Sequence, residues 1–155
     1  MEEKFMKRAI ELSRMHMKAG HGGPFGAVLV KDGRIIGEGW NCVTSMNDPT
    51  AHAEITAIRR ACESLSTFEL QGVDLYTSCE PCPMCLAAVY WARISRIYYG
   101  STREDAAEHQ FDDAFIYEQI PLKTSERTLP MKQVLRDDAL RVFKEWDAKA
   151  DKIRY

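Results

Sequence analysis

Two short segments of this 155-residue chain carry side chains suited to chemistry: His52-Ala53-Glu54 and, about thirty residues later, Pro81-Cys82-Pro83-Met84-Cys85. One imidazole and two thiolates suit zinc, a borderline-soft ion that takes nitrogen and sulfur ligands tetrahedrally. His52, Cys82 and Cys85 are the expected ligands. Three protein ligands leave a fourth position for water or hydroxide, so one Zn2+ per subunit is expected. Zinc lowers the pKa of its bound water to about 7. Glu54 is the expected proton carrier, taking the water's proton and returning it to a substrate nitrogen.

Cys82 and Cys85 are three apart where a helix is expected to begin, so their sulfurs face one way and the positive helix end favours both thiolates. His52 and Glu54 need another arrangement, because residues i and i+2 of a helix project about 200° apart. The metal is therefore expected off the N-terminal end of that helix, with the carboxylate reaching round to the water. An alternative uses the same groups without chemistry: His52, Cys79, Cys82 and Cys85 would close a four-ligand structural site. Cys79 decides between the two. A structural ion gives no reason for a carboxylate two residues from the histidine.

The elements that must hold these groups follow from periodicity and turn chemistry. Phe5, Ala9 and Leu12 are at helical spacing within 2–19, and the run Gly20-His21-Gly22-Gly23-Pro24 stops that helix. Strands are expected at 25–31 and 34–41, joined by an Asp32-Gly33 hairpin turn. Asn47-Asp48-Pro49-Thr50 predicts a helix opening there and running to about 64, with His52-Ala53-Glu54 in its first turn. Further strands are expected at 73–78, 94–99 and 129–135, and helices from Pro83 to Trp91, over 103–109 and over 137–149. The last carries Leu140, Phe143 and Trp146 on one stripe. The segment 111–125 is expected to be irregular. Together these predict an α/β fold: a three-layer α/β/α sandwich on a central mixed five-stranded sheet, forming one domain over 1–155.

Composition supports an ordinary globular enzyme: 45% hydrophobic, 28% charged and 10% aromatic residues. The N-terminus has no apolar core for a signal peptide, and the longest apolar run, 85–92, is well short of the roughly 18 residues a membrane helix needs. A cytoplasmic location and no membrane partner are expected. Five cysteines, three of them at 79, 82 and 85, suit a metal in a reducing compartment better than a disulfide framework; Cys42 and Cys62 are expected to be inert. A net charge of −2 with no Lys/Arg run argues against a nucleic-acid partner.

His52-Ala53-Glu54 with Pro81-Cys82-Pro83-Met84-Cys85 resembles the signature of the zinc nucleobase and nucleoside deaminases, which the handling of flipped or free bases by an H-x-E and P-C-x-x-C pair defines. The segments 22–27, 47–54, 76–85 and 111–117 further resemble the short bacterial guanine deaminases, over essentially the whole chain. The resemblance implies a cytidine-deaminase-like fold and hydrolysis of guanine at C2 to xanthine and ammonia, in purine salvage or catabolism. It also implies a homodimer in which the C-terminal segment, about 130–155, is swapped so as to lie over the other subunit's site.

The substrate is expected to be chosen elsewhere than at the metal. Of the Asp112-Asp113 pair, one reading is a helix cap; the resemblance makes Asp113 a substrate contact and second proton shuttle, suited to guanine's N–H donors. Asn41 closes a strand, and its amide can donate to and accept from a purine edge. Phe25 and Trp91 are candidates to stack on a flat base. The resemblance adds Ala53 and the terminal Tyr155, the latter as a lid residue. His21 in its glycine loop is read as solvated, and His16 and His109 have no assigned partner. Competing functions are a tRNA adenosine deaminase, a cytosine or nucleoside deaminase, and, in a different class, a zinc-stabilised binding module without turnover.

Overall fold

The computed structural model describes residues 2–155, which divide into a first unit ending at Ala114 and a second from Phe115 to Tyr155. In the first unit, α1 (Glu3–Lys18) buries Phe5, Ala9, Leu12 and Ser13, one face of a 3.6-residue repeat. β1 (Gly26–Lys31) and β2 (Arg34–Trp40) form an antiparallel hairpin. β3 (Asp74–Cys79) pairs antiparallel with β1, and β4 (Arg96–Ser101) pairs parallel with β3. The strand order is β2-β1-β3-β4, so the sheet is mixed.

Strand alternation sorts the core onto two faces. Ala27, Leu29 and Leu75 pack with Ala53, Ala57 and Ala61 of α3 (Ala53–Leu65) and with Val89 of α4 (Pro83–Trp91). Val28, Val30 and Tyr76 face the other way, onto Phe5 and Leu12 of α1. These are the three layers expected. Between Leu29 and Val30 the β1–β2 register shifts by one residue, a β-bulge on β2.

The sheet has four strands among the described residues, where five were expected. Residues 129–135 are not a strand: Pro130 has no N–H to give a ladder, the second unit contains no strand for them to pair with, and Leu135 takes a left-handed φ of 51°. Their apolar character goes with exposure instead, Leu129 and Leu135 each being 74% exposed.

The start of α3 also differs from expectation. A short helix, α2 (Val43–Met46), ends at Asn47 in the left-handed conformation. The Asp48 carboxylate then accepts from the Thr50 N–H at 2.8 Å and its hydroxyl at 2.7 Å. This local turn competes with helix formation, so α3 begins only at Ala53. Its height over the sheet is set by Gly39 of β2: a Cβ there would lie 2.1 Å from the Ala53 carbonyl oxygen and 2.5 Å from the Ala57 nitrogen. Helix backbone and strand backbone meet with no side chain between them, which fixes the N-terminal end of α3.

α5 (Arg103–Glu108) carries a full capping box between Thr102 and Asp105. α6 (Ala114–Gln119) begins at the last residue of the first unit and lies inside the stretch expected to be irregular. The chain after it is tied by Gln119 Oε1, which accepts from the Thr128 N–H at 2.8 Å, and by Arg127, which donates to the Ile120 and Leu122 carbonyls. α7 (Arg136–Ala148) matches the expected final helix. No helix of the described residues is long and apolar enough to cross a membrane.

Candidate active site

His52 and Cys82 occupy equivalent positions, each the N-cap of the helix that follows, with extended backbones (φ −71°, ψ 162° and φ −65°, ψ 167°). Neither side chain caps its own helix. Both are thus available to a ligand lying off the helix ends, where the dipoles favour anionic sulfur. Because His52 is not helical, the 200° separation from Glu54 expected within a helix does not arise.

His52 Nδ1 lies 3.5 Å from Cys82 Sγ and 3.5 Å from Cys85 Sγ, and the three ligand atoms are all within 4.8 Å of one another. Tetrahedral bonds of about 2.1 Å to nitrogen and 2.3 Å to sulfur require an N···S distance of roughly 3.6 Å. The donor set and its spacing therefore fit zinc. Cys79 is not part of this cluster; its thiol donates to the Thr102 carbonyl at 3.5 Å. The closed four-ligand arrangement is not formed.

The site's charges are coupled through the sulfurs. Cys82 is held down to about 4, first by the hydrogen bond from Cys85 and also by His52. The same Cys85–Cys82 bond, with burial, pushes Cys85 up, and the bond to Cys82 raises His52. Cys82 is thus the most readily ionised of the three groups, and a divalent cation held here would displace any protons that the other two carry.

Glu54, in the first turn of α3, is only 6% exposed. Burial above all pushes its carboxyl up, with the Cys82 thiolate adding to the effect, while a hydrogen bond from Cys85 works against it. The carboxyl therefore lies beside Cys85, one of the three candidate ligands. Thr77, buried on β3, donates its hydroxyl to Glu54 Oε1 at 3.4 Å. Sequence reasoning missed Thr77; a hydroxyl two positions after Leu75 and so on the same face of an apolar strand was the available signal.

The Asp112-Asp113 pair is divided by the structure. Asp112 Oδ1 accepts from the Ala114 N–H at 2.8 Å at the head of α6, which is the capping role. Asp113 is half-buried, and its carboxyl is pushed up first by burial and then by the Cys82 thiolate. It therefore lies in the field of the ligand cluster.

Asn41 is buried, and its Oδ1 accepts from the Gly23 N–H at 3.1 Å and the Val43 N–H at 3.2 Å. Both lone pairs are used, so Asn41 offers a ligand its NH2 donors only, narrowing the donor-and-acceptor role expected. Phe25 is half-buried and meets Phe111 edge to face, with centroids 4.9 Å apart. Ala53 is fully buried at the first position of α3, beside His52. Trp91 ends α4, six residues beyond Cys85, and is 68% exposed. Tyr155, in the second unit, is also exposed. Cys42 and Cys62 stand outside the ligand cluster, and His109 is exposed.

Comparison with known proteins extends these observations. The family model of the cytidine and deoxycytidylate deaminase zinc-binding region matches residues 1–101. The guanine deaminase of Bacillus subtilis is 54% identical over 153 residues, 99% of this chain and 98% of that protein. Its crystal structure superposes with a TM-score of 0.97, covering 100% of this chain and 99% of that one. The tRNA-specific adenosine deaminase of Agrobacterium fabrum is 56% identical, but over 78 residues, 50% of this chain and 51% of its own.

Proposed function

This chain belongs to the cytidine and deoxycytidylate deaminase zinc-binding family, and from that membership we propose that it is a guanine deaminase, a hydrolase converting guanine to xanthine and ammonia. The observation that carries the substrate is the extent of the likeness: identity to a guanine deaminase runs over 99% of the chain, whereas the tRNA-specific enzyme of Agrobacterium fabrum matches only half. The net charge of −2 also disfavours a polyanionic substrate. A non-catalytic zinc module would leave the burial of Glu54 against the ligands without a purpose.

His52, Cys82 and Cys85 would hold zinc, which when bound supplies a Lewis acid that brings a water to a pKa of about 7. Glu54 takes one proton from the attacking water and delivers it to the purine ring nitrogen, then takes the second proton from the same oxygen and delivers it to the departing amine. A C2–O bond forms and the C2–N2 bond breaks, with the nitrogen leaving as ammonia. Burial suits Glu54 to this cycle, because a carboxyl pushed above its ordinary value takes up a proton more readily than an exposed one. Asp113 accepts from a guanine N–H and is the second proton shuttle. Asn41, restricted to donation, binds an acceptor atom of the purine, and Phe25 supports the ring plane. The Ala53 backbone, at the start of α3, lies against the bound base.

Trp91 and Tyr155 complete the site in a homodimer whose C-terminal segment, about 130–155, is swapped. Supporting this is exposed apolar surface on both units: Tyr90 and Trp91 on the first, Phe143 and Val142 on α7 in the second. The five cysteines, all unpaired, suit a cytoplasmic enzyme of purine salvage or catabolism.

Zinc content and ammonia release measured with guanine, adenine, cytosine and their nucleosides test the assignment. Guanine should be turned over fastest, giving xanthine. Faster release from cytosine or an adenosine-containing tRNA would overturn it.

A further inference from the structure

Outside the candidate ligand cluster, α1, β2, α3 and the glycine loop converge on two histidines that the proposed reaction does not use. His16 Nδ1 and His21 Nδ1 are 2.8 Å apart. The His16 ring lies flat on the Trp40 indole, with centroids 3.5 Å apart and planes 1° from parallel. The Arg60 guanidinium of α3 lies 4.0 Å from the centre of the same indole. Two ring nitrogens at this distance need one N–H and one lone pair between them. The contact therefore exists only while the pair lacks a second Nδ1 proton.

The loop held by this contact builds the substrate side of the site. The His21 N–H donates to the His16 carbonyl at 3.0 Å, and the His21 carbonyl accepts from the Ser45 N–H and the Thr44 hydroxyl, each at 3.4 Å. Gly22 lies so close to Asn41 that a Cβ would sit 2.4 Å from both the Asn41 carbonyl oxygen and Oδ1. Gly23 donates to Asn41 Oδ1, and Phe25 is joined to Gly23 at 2.9 Å and to the Asn41 N–H at 3.1 Å. Displacing His21 thus displaces the partners that orient Asn41 and Phe25.

We propose that His16 and His21 are positioning residues for the substrate pocket, a pH-sensitive latch that seats the 20–24 loop against Asn41 while the pair shares a single Nδ1 proton and releases it when a second is bound. The proposal rests on the assignment of Asn41 and Phe25 to substrate binding.

The charges around the pair favour the latched state at neutral pH. Arg8 on α1, Arg60 on α3 and His21 itself all oppose a positive charge on His16, as does burial, which is the largest effect. Glu38 on β2 is the one opposing anion, and both its oxygens are already engaged by Arg8 at 2.7 and 2.9 Å. His16 is accordingly held below the ordinary histidine range of about 6.5. A histidine depressed in the folded state binds fewer protons there than when the loop is open, so the latched state is fully favoured above the ordinary value and loses that advantage as pH falls through it.

The test is the pH dependence of guanine KM and kcat in the zinc-loaded enzyme and in His16→Gln. Between pH 7.5 and 5.5 the parent KM should rise at least fivefold, with kcat changing less. In His16→Gln that rise should fall below twofold, with kcat at pH 7.5 within about threefold of the parent. An unchanged KM profile in the variant overturns the latch. Imidazole 15N titration of the parent decides it independently of variant folding and of whether guanine is the substrate. His16 is expected to titrate below the ordinary histidine value of about 6.5, whereas titration at that value overturns it. Failure of guanine turnover at pH 7.5 with the lowered His16 titration intact would count against the substrate assignment alone.

Discussion

Replacing Glu54 by Gln separates catalysis from stability at one position. The amide has the same shape and keeps an oxygen for the Thr77 hydroxyl, which now lies 3.4 Å from Oε1. It cannot carry a proton. Positioned acid–base groups contribute about 10²–10⁴ in rate, or roughly 2.7–5.5 kcal/mol of transition-state stabilisation. Folding should respond differently. At 6% exposure the carboxylate is held largely out of water, and its ionised form is disfavoured by burial and by Cys82. A neutral isostere relieves that conflict, so stability should change by no more than about 1 kcal/mol, about 2–4 °C in Tm for a domain of this size. Ammonia release from guanine, zinc by atomic absorption and calorimetry on one preparation give the three readouts. Zinc retained, Tm preserved and kcat/KM down at least a hundredfold is the expected pattern. Activity within tenfold of the parent would refute the proton-carrier role, and a large fall in Tm would refute the account of its burial.

Cys79→Ser should keep zinc and hold kcat/KM within about threefold, since its thiol is spent on Thr102, whereas Cys82→Ser should lose the metal; metal analysis of the purified variants checks both. Gly39→Ala puts a methyl 2.1 Å from the Ala53 carbonyl oxygen, so α3 must move. Overpacking of this kind costs about 1–3 kcal/mol or more, and calorimetry should show a lower Tm together with reduced turnover. Asp113→Ala should retain zinc and lose most guanine turnover, while Asp112→Ala, which removes a cap, should cost stability of about 1 kcal/mol and leave kcat nearly intact; steady-state kinetics beside thermal melts distinguishes them.

The candidate metal cluster was readable because coordination chemistry dictates both residue types and spacing, and His52, Cys82 and Cys85 do converge. The choice against Cys79 was not readable, because it depends on where β3 ends relative to the Thr102 carbonyl, a contact between residues 23 apart. Helices with a strong apolar repeat, such as α1 and α7, were found within a residue or two of their ends. The start of α3 was misplaced because Asn47 and Asp48 have two uses, capping a helix or closing a turn, and here the turn prevails. Residues 129–135 read as a strand from their apolar content, but a strand also needs a ladder, which local composition does not report. The buried hydroxyl of Thr77 and the close approach at Gly39 are likewise properties of pairs distant in sequence.

The irregularity between Leu29 and Val30 has a further consequence, one of phase. A tight turn that pairs Lys31 with Arg34 and Val30 with Ile35 would, in an unbroken ladder, set Val28 opposite Gly37 and Ala27 opposite Glu38. Glu38 would then face α3, and the side of β2 without side chains would face α1. The single extra residue reverses this: Leu29 faces Gly37 and Ala27 faces Gly39, while Glu38 turns to Arg8. Deleting one residue from β2 would therefore exchange the two faces of its distal half in one step, a greater disturbance to α3 than a side-chain substitution on the same strand.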